Sequence, residues 1–206
     1  PTGRQGEAVD LRLGPVPDHL PAPLACGRLF QARPGRLLLQ VPGVARFLVE
    51  EGLRITVEPA DGAGAEANDL VAWLLGPVFG ALLQQRGNLV LHGSVVRATE
   101  SAAVFMGASG VGKSTLALGL GDLGRRVLSC DLAVLGPAGQ VAPGPPFLRI
   151  WDDTLRRLGI DPEGLALARN DRPKRLVPLG PRFLGRSLPV GSLVLLRTEA
   201  AREPRI

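Results

Sequence analysis

Gly107-Ala108-Ser109-Gly110-Val111-Gly112-Lys113-Ser114 is the stretch that decides the fold. It fits the pattern G-x-x-x-x-G-K-S. In that pattern, glycines let the backbone fold tightly enough for successive N–H groups to surround phosphate oxygens, and the following helix aims the positive end of its dipole at them. The flanks have the required character. Ala102-Ala103-Val104-Phe105-Met106 is an apolar strand running into the loop, and Thr115-Leu116-Ala117-Leu118 continues as a helix out of it. Amides from Ser109, Gly110, Val111, Gly112, Lys113, Ser114 and Thr115 are therefore the expected nucleotide contacts. The Lys113 ammonium would reach the β- and γ-phosphates, and the Ser114 hydroxyl would bind Mg²⁺.

Working outward, Leu89–Val96 and Ala102–Met106 read as two strands, Lys113–Leu123 as a helix stopped by Gly124, and Val127–Leu135 as the next strand. Asp131 stands in the middle of that apolar run, where an unpaired carboxylate is costly, and this makes it the best candidate for the second metal-side acid that phosphoryl transfer needs, the other reading being a surface turn or cap. Pro143–Pro146 reads as a rigid loop, and Arg149 just beyond it has two readings: a group that stabilises charge on a transferred phosphoryl, or an ordinary surface strand arginine. Asp152 and Asp153 are expected to cap a short helix over Asp153–Leu158. Strands are expected again at Leu176–Leu179 and Leu193–Leu196.

Upstream, apolar runs alternate with turn signals at Pro34-Gly35, Pro42-Gly43 and Glu51-Gly52, so Gly27–Gln31, Arg36–Val41, Ala45–Val49 and Leu53–Val57 read as a small meandering sheet. Residues 1–25 are rich in Pro and Gly and read as an irregular lead-in. Asp61–Ala67 is expected to be a loop, with Asn68 or Asp69 capping a helix that carries Leu70, Trp73, Leu74, Val78 and Leu82 on one face and kinks at Pro77. The longest uncharged run, Leu70–Gln85, contains Gly76-Pro77 and reads as a buried helix, falling short of a membrane span. The expected domains are thus a lead-in at 1–25, an N-terminal β subdomain with its connecting helix at 26–87, and an α/β core carrying the loop at 88–206.

Composition narrows the classes. The chain has 206 residues, 45% hydrophobic and 21% charged, enough for one core with a small appendage. No basic stretch followed by an apolar run opens the sequence, so no secretory signal is expected. Cys26 and Cys130 have no metal-ligand spacing and are too few for a disulfide framework, which points to a reducing, cytoplasmic setting while leaving a single disulfide open. The net charge is +5, and residues 150–206 hold ten Arg and Lys174 against seven acids. A basic surface suits phosphate-bearing partners or is simply solvated. The absence of Tyr, and of aromatic interleaving in this Arg-rich segment, argues against nucleic acid. Of 24 basic residues only Lys113 and Lys174 are lysine. An ammonium and a guanidinium are not interchangeable at a phosphate, so each lysine needs its own account.

His92-Gly93, the GASGVGKS loop and Arg125-Arg126-Val127-Leu128-Ser129-Cys130-Asp131 together resemble the bacterial HPr kinase/phosphorylase family, especially its smaller relatives that phosphorylate precursor peptides in lasso-peptide pathways. The similarity extends through Val41–Phe47, Leu74–Pro77, Gln85–Gly87 and Pro143–Pro146, and so spans roughly residues 25 to 200. It implies an HPr-kinase-type core sheet with a small, mostly-β N-terminal subdomain, ATP and Mg²⁺ as cofactors, and a serine hydroxyl on a peptide or small protein as acceptor. It places His92 near the phosphates, although a histidine at a strand end is an equally good reading. It also aligns Lys174 with a lysine that touches nucleotide or acceptor. The larger enzymes of the family are hexameric, which leaves a homo-oligomer open.

One departure stands out. The family carries two adjacent acids after the helix, the first a base for the acceptor's proton and the second facing the metal, and here Cys130 occupies the first place beside Asp131. A thiol is a poor base at neutral pH. Three accounts remain open: an inactivating substitution, a variant in which Asp131 does both jobs, or a chain that binds nucleotide and a partner without turnover.

Overall fold

The computed structural model describes residues 7–60 and 67–198. It is a mixed α/β structure in which strands predominate. The chain divides into two compact units, residues 1–90 with 162–175, and residues 91–161 with 176–206.

The first unit is built on a six-stranded sheet of order β1-β6-β5-β4-β3-β2, made of β1 (Asp10–Leu13), β2 (Ala25–Cys26), β3 (Phe30–Arg33), β4 (Arg36–Val41), β5 (Ala45–Glu50) and β6 (Arg54–Pro59). The turn signals are where the backbone reverses: Gly35, Gly43 and Gly52 all have positive φ. The stretch expected to be an irregular lead-in is partly ordered. Residues 10–13 pair in parallel with β6, Asp10 opposite Arg54, and the Asp10 carboxylate accepts from Arg54 at 3.1 Å. The alternation Val9, Leu11, Leu13 against Asp10, Arg12 carried a strand signal that the Pro- and Gly-rich surroundings obscured.

Side-chain alternation gives this sheet two apolar faces. Leu39, Phe47, Val49, Ile55 and Val57 pack with Val78 and Leu82 on one side, while Leu38 and Leu48 pack with Val16 and Leu20 on the other. The helical stretch is α1 (Ala67–Trp73), a π-helical turn over Leu74–Val78, and α2 (Phe79–Gln85). Its break falls at Gly76 (φ −106°, ψ −105°), one residue before Pro77, because proline's ring pushes its predecessor out of the α region. Ala67–Gln85 is 19 residues with mean hydropathy 1.2, long and apolar enough to cross a membrane by length and composition, and 28% of it is buried. The uncharged run Leu70–Gln85 is shorter than this helix, which reaches that length by adding Ala67, Asn68 and Asp69; the expected burial holds on the face that carries Val78 and Leu82 into the sheet's core. The loop expected over 61–67 lies, but for Ala67, outside the described residues. Asn68 and Asp69 sit inside the first turn rather than capping it. Asp69 instead accepts from the Asn170 amide at 3.1 Å and faces Arg169, whose guanidinium lies 5.1 Å from the Trp73 ring. Arg169 belongs to the hairpin of β13 (Leu167–Arg169) and β14 (Arg172–Pro178).

The second unit holds a six-stranded sheet of order β10-β11-β15-β8-β7-β9: β7 (Leu89–Arg97), β8 (Ala102–Met106), β9 (Val127–Ser129), β10 (Leu132–Leu135), β11 (Gln140–Ala142) and β15 (Leu188–Leu195). β10 also pairs with β7, so the sheet curls back on itself around Val95, Val104, Leu128, Ala133 and Val141. Most neighbours are antiparallel, but β15 runs parallel to β8. α3 (Lys113–Asp122) follows β8, β12 is Phe147–Trp151, and α4 is Asp152–Arg157. Asp152 and Asp153 lie in α4's first turn, where they favour its dipole, rather than at its cap.

One expectation is corrected here. Val127–Leu135 is two strands, not one. They separate at Cys130-Asp131, where Asp131 adopts φ +72° and its carbonyl accepts from the Gly93 amide of β7 at 3.1 Å.

Candidate functional site

The loop after β8 is shaped by its glycines. Gly110 and Gly112 have φ of +86° and +97°. Gly107, at φ +144°, packs so closely that a Cβ there would lie 2.6 Å from the Leu196 carbonyl oxygen. Gly112 serves as the N-cap of α3 without any side-chain hydrogen bond, so the first-turn amides have no side-chain acceptor of their own. Such amides at the end of a ten-residue helix are suited to an anion.

Lys113 is only 6% exposed. Its Nζ donates to the carbonyl oxygens of Gly107 and Ala108, both at 2.9 Å, so the ammonium that would meet phosphate is held inside the curl of its own loop. A buried cation needs such partners. Ser114, next along the helix, brings its Oγ to 3.2 Å from the Cys130 sulfur.

Cys130 is the centre of this cluster. Ser94 of β7 donates to the same sulfur at 3.9 Å, and Asp131 Oδ1 lies 3.8 Å from it. Burial, and then the neighbouring Asp131 charge, push the thiol's pKa up, against hydrogen bonds from Ser114, the Arg149 amide and Ser94. The thiol is therefore protonated near neutrality. Both cysteines are free, which closes the disulfide left open by the sequence.

Arg149, from β12, donates through Nη1 to Asp131 Oδ2 at 2.9 Å, with side chains 16% and 21% exposed. The guanidinium also lies 5.7 Å from the Phe147 ring, and its Nε is buried without a partner. Asp131 is thus a paired carboxylate at a strand break, not a lone one within a strand. His92 Nδ1 lies 3.0 Å from the Asp131 carbonyl oxygen. A carbonyl only accepts, so Nδ1 carries the proton, and in the neutral ring Nε2 is left bare.

These contacts link His92, Ser114, Cys130, Asp131 and Arg149 to one another, while Lys113, next to Ser114 on α3, is held by the carbonyls of its own loop. Ser109, Gly110, Val111 and Thr115 complete the loop and the first helical turn. Lys174 stands on β14, half-buried, among residues of the other unit. Ser94 was missed. The signal was available, since it stands two residues from His92 on a strand and so shares its face.

The donor set can be tested for Mg²⁺. Among the described residues there is no group of three or more His, Cys, Asp or Glu. Ser114 Oγ and Asp131 Oδ1 nevertheless flank the same sulfur, and Mg²⁺ bound with substrate phosphates takes one or two protein oxygens and keeps several waters. The set fits an ion that arrives with a nucleotide better than one caged by protein alone.

No family model matches the chain, and no curated protein matches it.

Proposed function

We propose that this chain is an ATP- and Mg²⁺-dependent kinase of the HPr-kinase type, phosphorylating a serine hydroxyl of a peptide or small protein, with a lasso-peptide precursor as the acceptor its resemblance favours. The observation that carries the reading is the joining of an uncapped, glycine-shaped loop to a compact set of polar groups: Lys113 and Ser114 on one side, Asp131, Arg149 and His92 on the other. A cytoplasmic setting accords with two free thiols.

In this reading the first-turn amides and Lys113 bind the phosphates, Lys113 exchanging its two carbonyl partners for phosphate oxygens. Ser114 and Asp131 would hold Mg²⁺, which would supply neutralisation of the nucleotide's phosphate charge. The acceptor's serine oxygen bonds to the γ-phosphorus as the bond to the β,γ-bridging oxygen breaks, and ADP leaves. Asp131 is the carboxylate at hand for the hydroxyl proton, because the Cys130 thiol already carries one. Arg149 orients Asp131 and offers positive charge to the transferred group.

Mass spectrometry of candidate peptides after incubation with ATP and Mg²⁺ tests the proposal, comparing this chain with Cys130→Asp. A second carboxylate beside Asp131 raises the proton affinity of one of the two, which makes a better base. Phosphoserine is expected with both proteins, and more of it with Cys130→Asp. Absence of transfer by either, with Lys113→Ala indistinguishable from the parent in nucleotide binding, defeats the reading.

One observation favours a second reading, a nucleotide-dependent peptide- or protein-binding module. The base position holds a protonated thiol, and the remaining acid is tied to Arg149. Partner affinity that follows nucleotide state, with no phosphate transferred even by Cys130→Asp, would select it.

A further inference from the structure

A groove of about 630 Å³ runs between α3 and α4 within the second unit. It starts at Gly112 and Thr115, the end of the phosphate loop and the first turn of α3, and continues along Leu116, Gly119 and Leu123. Thr154 and Arg157 of α4 are among the groups on its other side. Its size falls in the range of about 300–1,000 Å³ typical of small-molecule sites, and its lining has their character, mostly apolar with a few polar groups.

We propose that this groove is the nucleoside subsite, taking the base and ribose of the triphosphate whose phosphates the Gly107–Ser114 loop holds. The proposal rests on the kinase reading and specifies where its nucleotide lies. Continuity carries it. Because Gly112 and Thr115 belong to both loop and groove, one molecule can fill both only if it joins a polyphosphate to a flat, mostly apolar body, and a nucleotide is built that way. Gly119 suits the floor, since a Cβ there would meet nothing within 4 Å, so a planar base can lie against the helix where a side chain would otherwise stand. Leu123, 80% exposed, leaves apolar surface at the far end for a ligand to cover. The Arg157 side chain is 81% exposed, and its pairing with Asp153 is long, at 3.7 Å. It is free to lay its guanidinium plane on a base.

Calorimetric titration of the full chain with ATP and with inorganic tripolyphosphate, each with Mg²⁺, tests this. ATP is expected to bind at least tenfold more tightly than tripolyphosphate. Gly119→Phe, which fills the groove from α3, should weaken ATP at least tenfold and change tripolyphosphate less than twofold. Arg157→Ala, at an exposed position, should weaken ATP about threefold with tripolyphosphate unchanged, and it keeps the test decisive if Gly119→Phe does not fold. Lys113→Ala should weaken both ligands. Equal binding of ATP and tripolyphosphate to the parent overturns the subsite, as does unchanged ATP affinity in Arg157→Ala and a folded Gly119→Phe while Lys113→Ala still weakens both; in either case the phosphate loop reading survives. Loss of acceptor-peptide binding in Gly119→Phe with ATP unaffected assigns the groove to the acceptor and likewise overturns it. If Lys113→Ala binds both ligands as the parent does, the nucleotide reading falls and the subsite with it.

Discussion

The Arg149 guanidinium donates to Asp131 Oδ2 at 2.9 Å, and the two residues come from β12 and from the break between β9 and β10. The pairing explains how a carboxylate is kept where it is mostly covered. Removing either partner leaves the other charge uncompensated. Arg149→Ala and Asp131→Ala should each destabilise the second unit by about 2 kcal/mol, less than a fully buried pair because some solvent reaches both groups. A double-mutant cycle by urea denaturation should return a coupling of about 1 kcal/mol or more. Additive effects would mean that the pair contributes nothing to the fold.

Cys130 should resist alkylation in the native protein at about pH 8, while the exposed Cys26 reacts, since the thiolate is the nucleophile and burial disfavours it at Cys130. Peptide mapping after iodoacetamide reads this directly. The sign of the linked pH dependence follows from the upward shift. Below the unfolded chain's ordinary thiol pKa both states hold the proton and stability is unaffected. As pH rises past it, the unfolded chain loses its proton first, so stability falls until the native thiol also titrates. Cys130→Ser should remove that alkaline decline, measured as the difference between two denaturation series.

Lys113→Met should abolish measurable binding of nucleotide and tripolyphosphate alike. It should also cost about 1 kcal/mol of stability, because the carbonyls of Gly107 and Ala108 lose the donor that covers them. A variant that binds as the parent does would remove Lys113 from the site.

Gly107→Ala should lower the thermal midpoint, with a loss of about 2 kcal/mol or more, from a φ of +144° and a methyl set 2.6 Å from the Leu196 carbonyl. Gly110→Ala meets nothing within 4 Å and carries only the backbone strain of its positive φ, so it should be the milder change. Calorimetric scans of the two variants give the ranking, and the reverse order would contradict the close approach of Leu196.

The Gly107–Ser114 loop, its strand and its helix were legible because each signal is local: glycines where φ is positive, an apolar strand of β pattern before, a helix after. The meander from β4 to β6 was legible for the same reason, its glycine turns lying within a few residues of the strands they join, whereas the strand expected at Gly27–Gln31 is β3 at Phe30–Arg33. β1 was not read, although Val9, Leu11 and Leu13 alternate with Asp10 and Arg12, because so short a run lies among Pro and Gly and its partner β6 is across the whole meander. The division at Cys130-Asp131 was hidden as well, since apolar residues continue on both sides and the strand breaks where Asp131 takes a positive φ, with its carbonyl accepting from Gly93, far away in sequence. The residue types of the cluster, His92, Lys113, Ser114, Cys130, Asp131 and Arg149, were fixed by the chain. Which of them touch was decided only by tertiary structure. Pairing Asp131 with Arg149, burying the thiol against Ser114 and opening a groove beside Gly119 all depend on where β7, β12, α3 and α4 come together, and local sequence does not encode distances between elements.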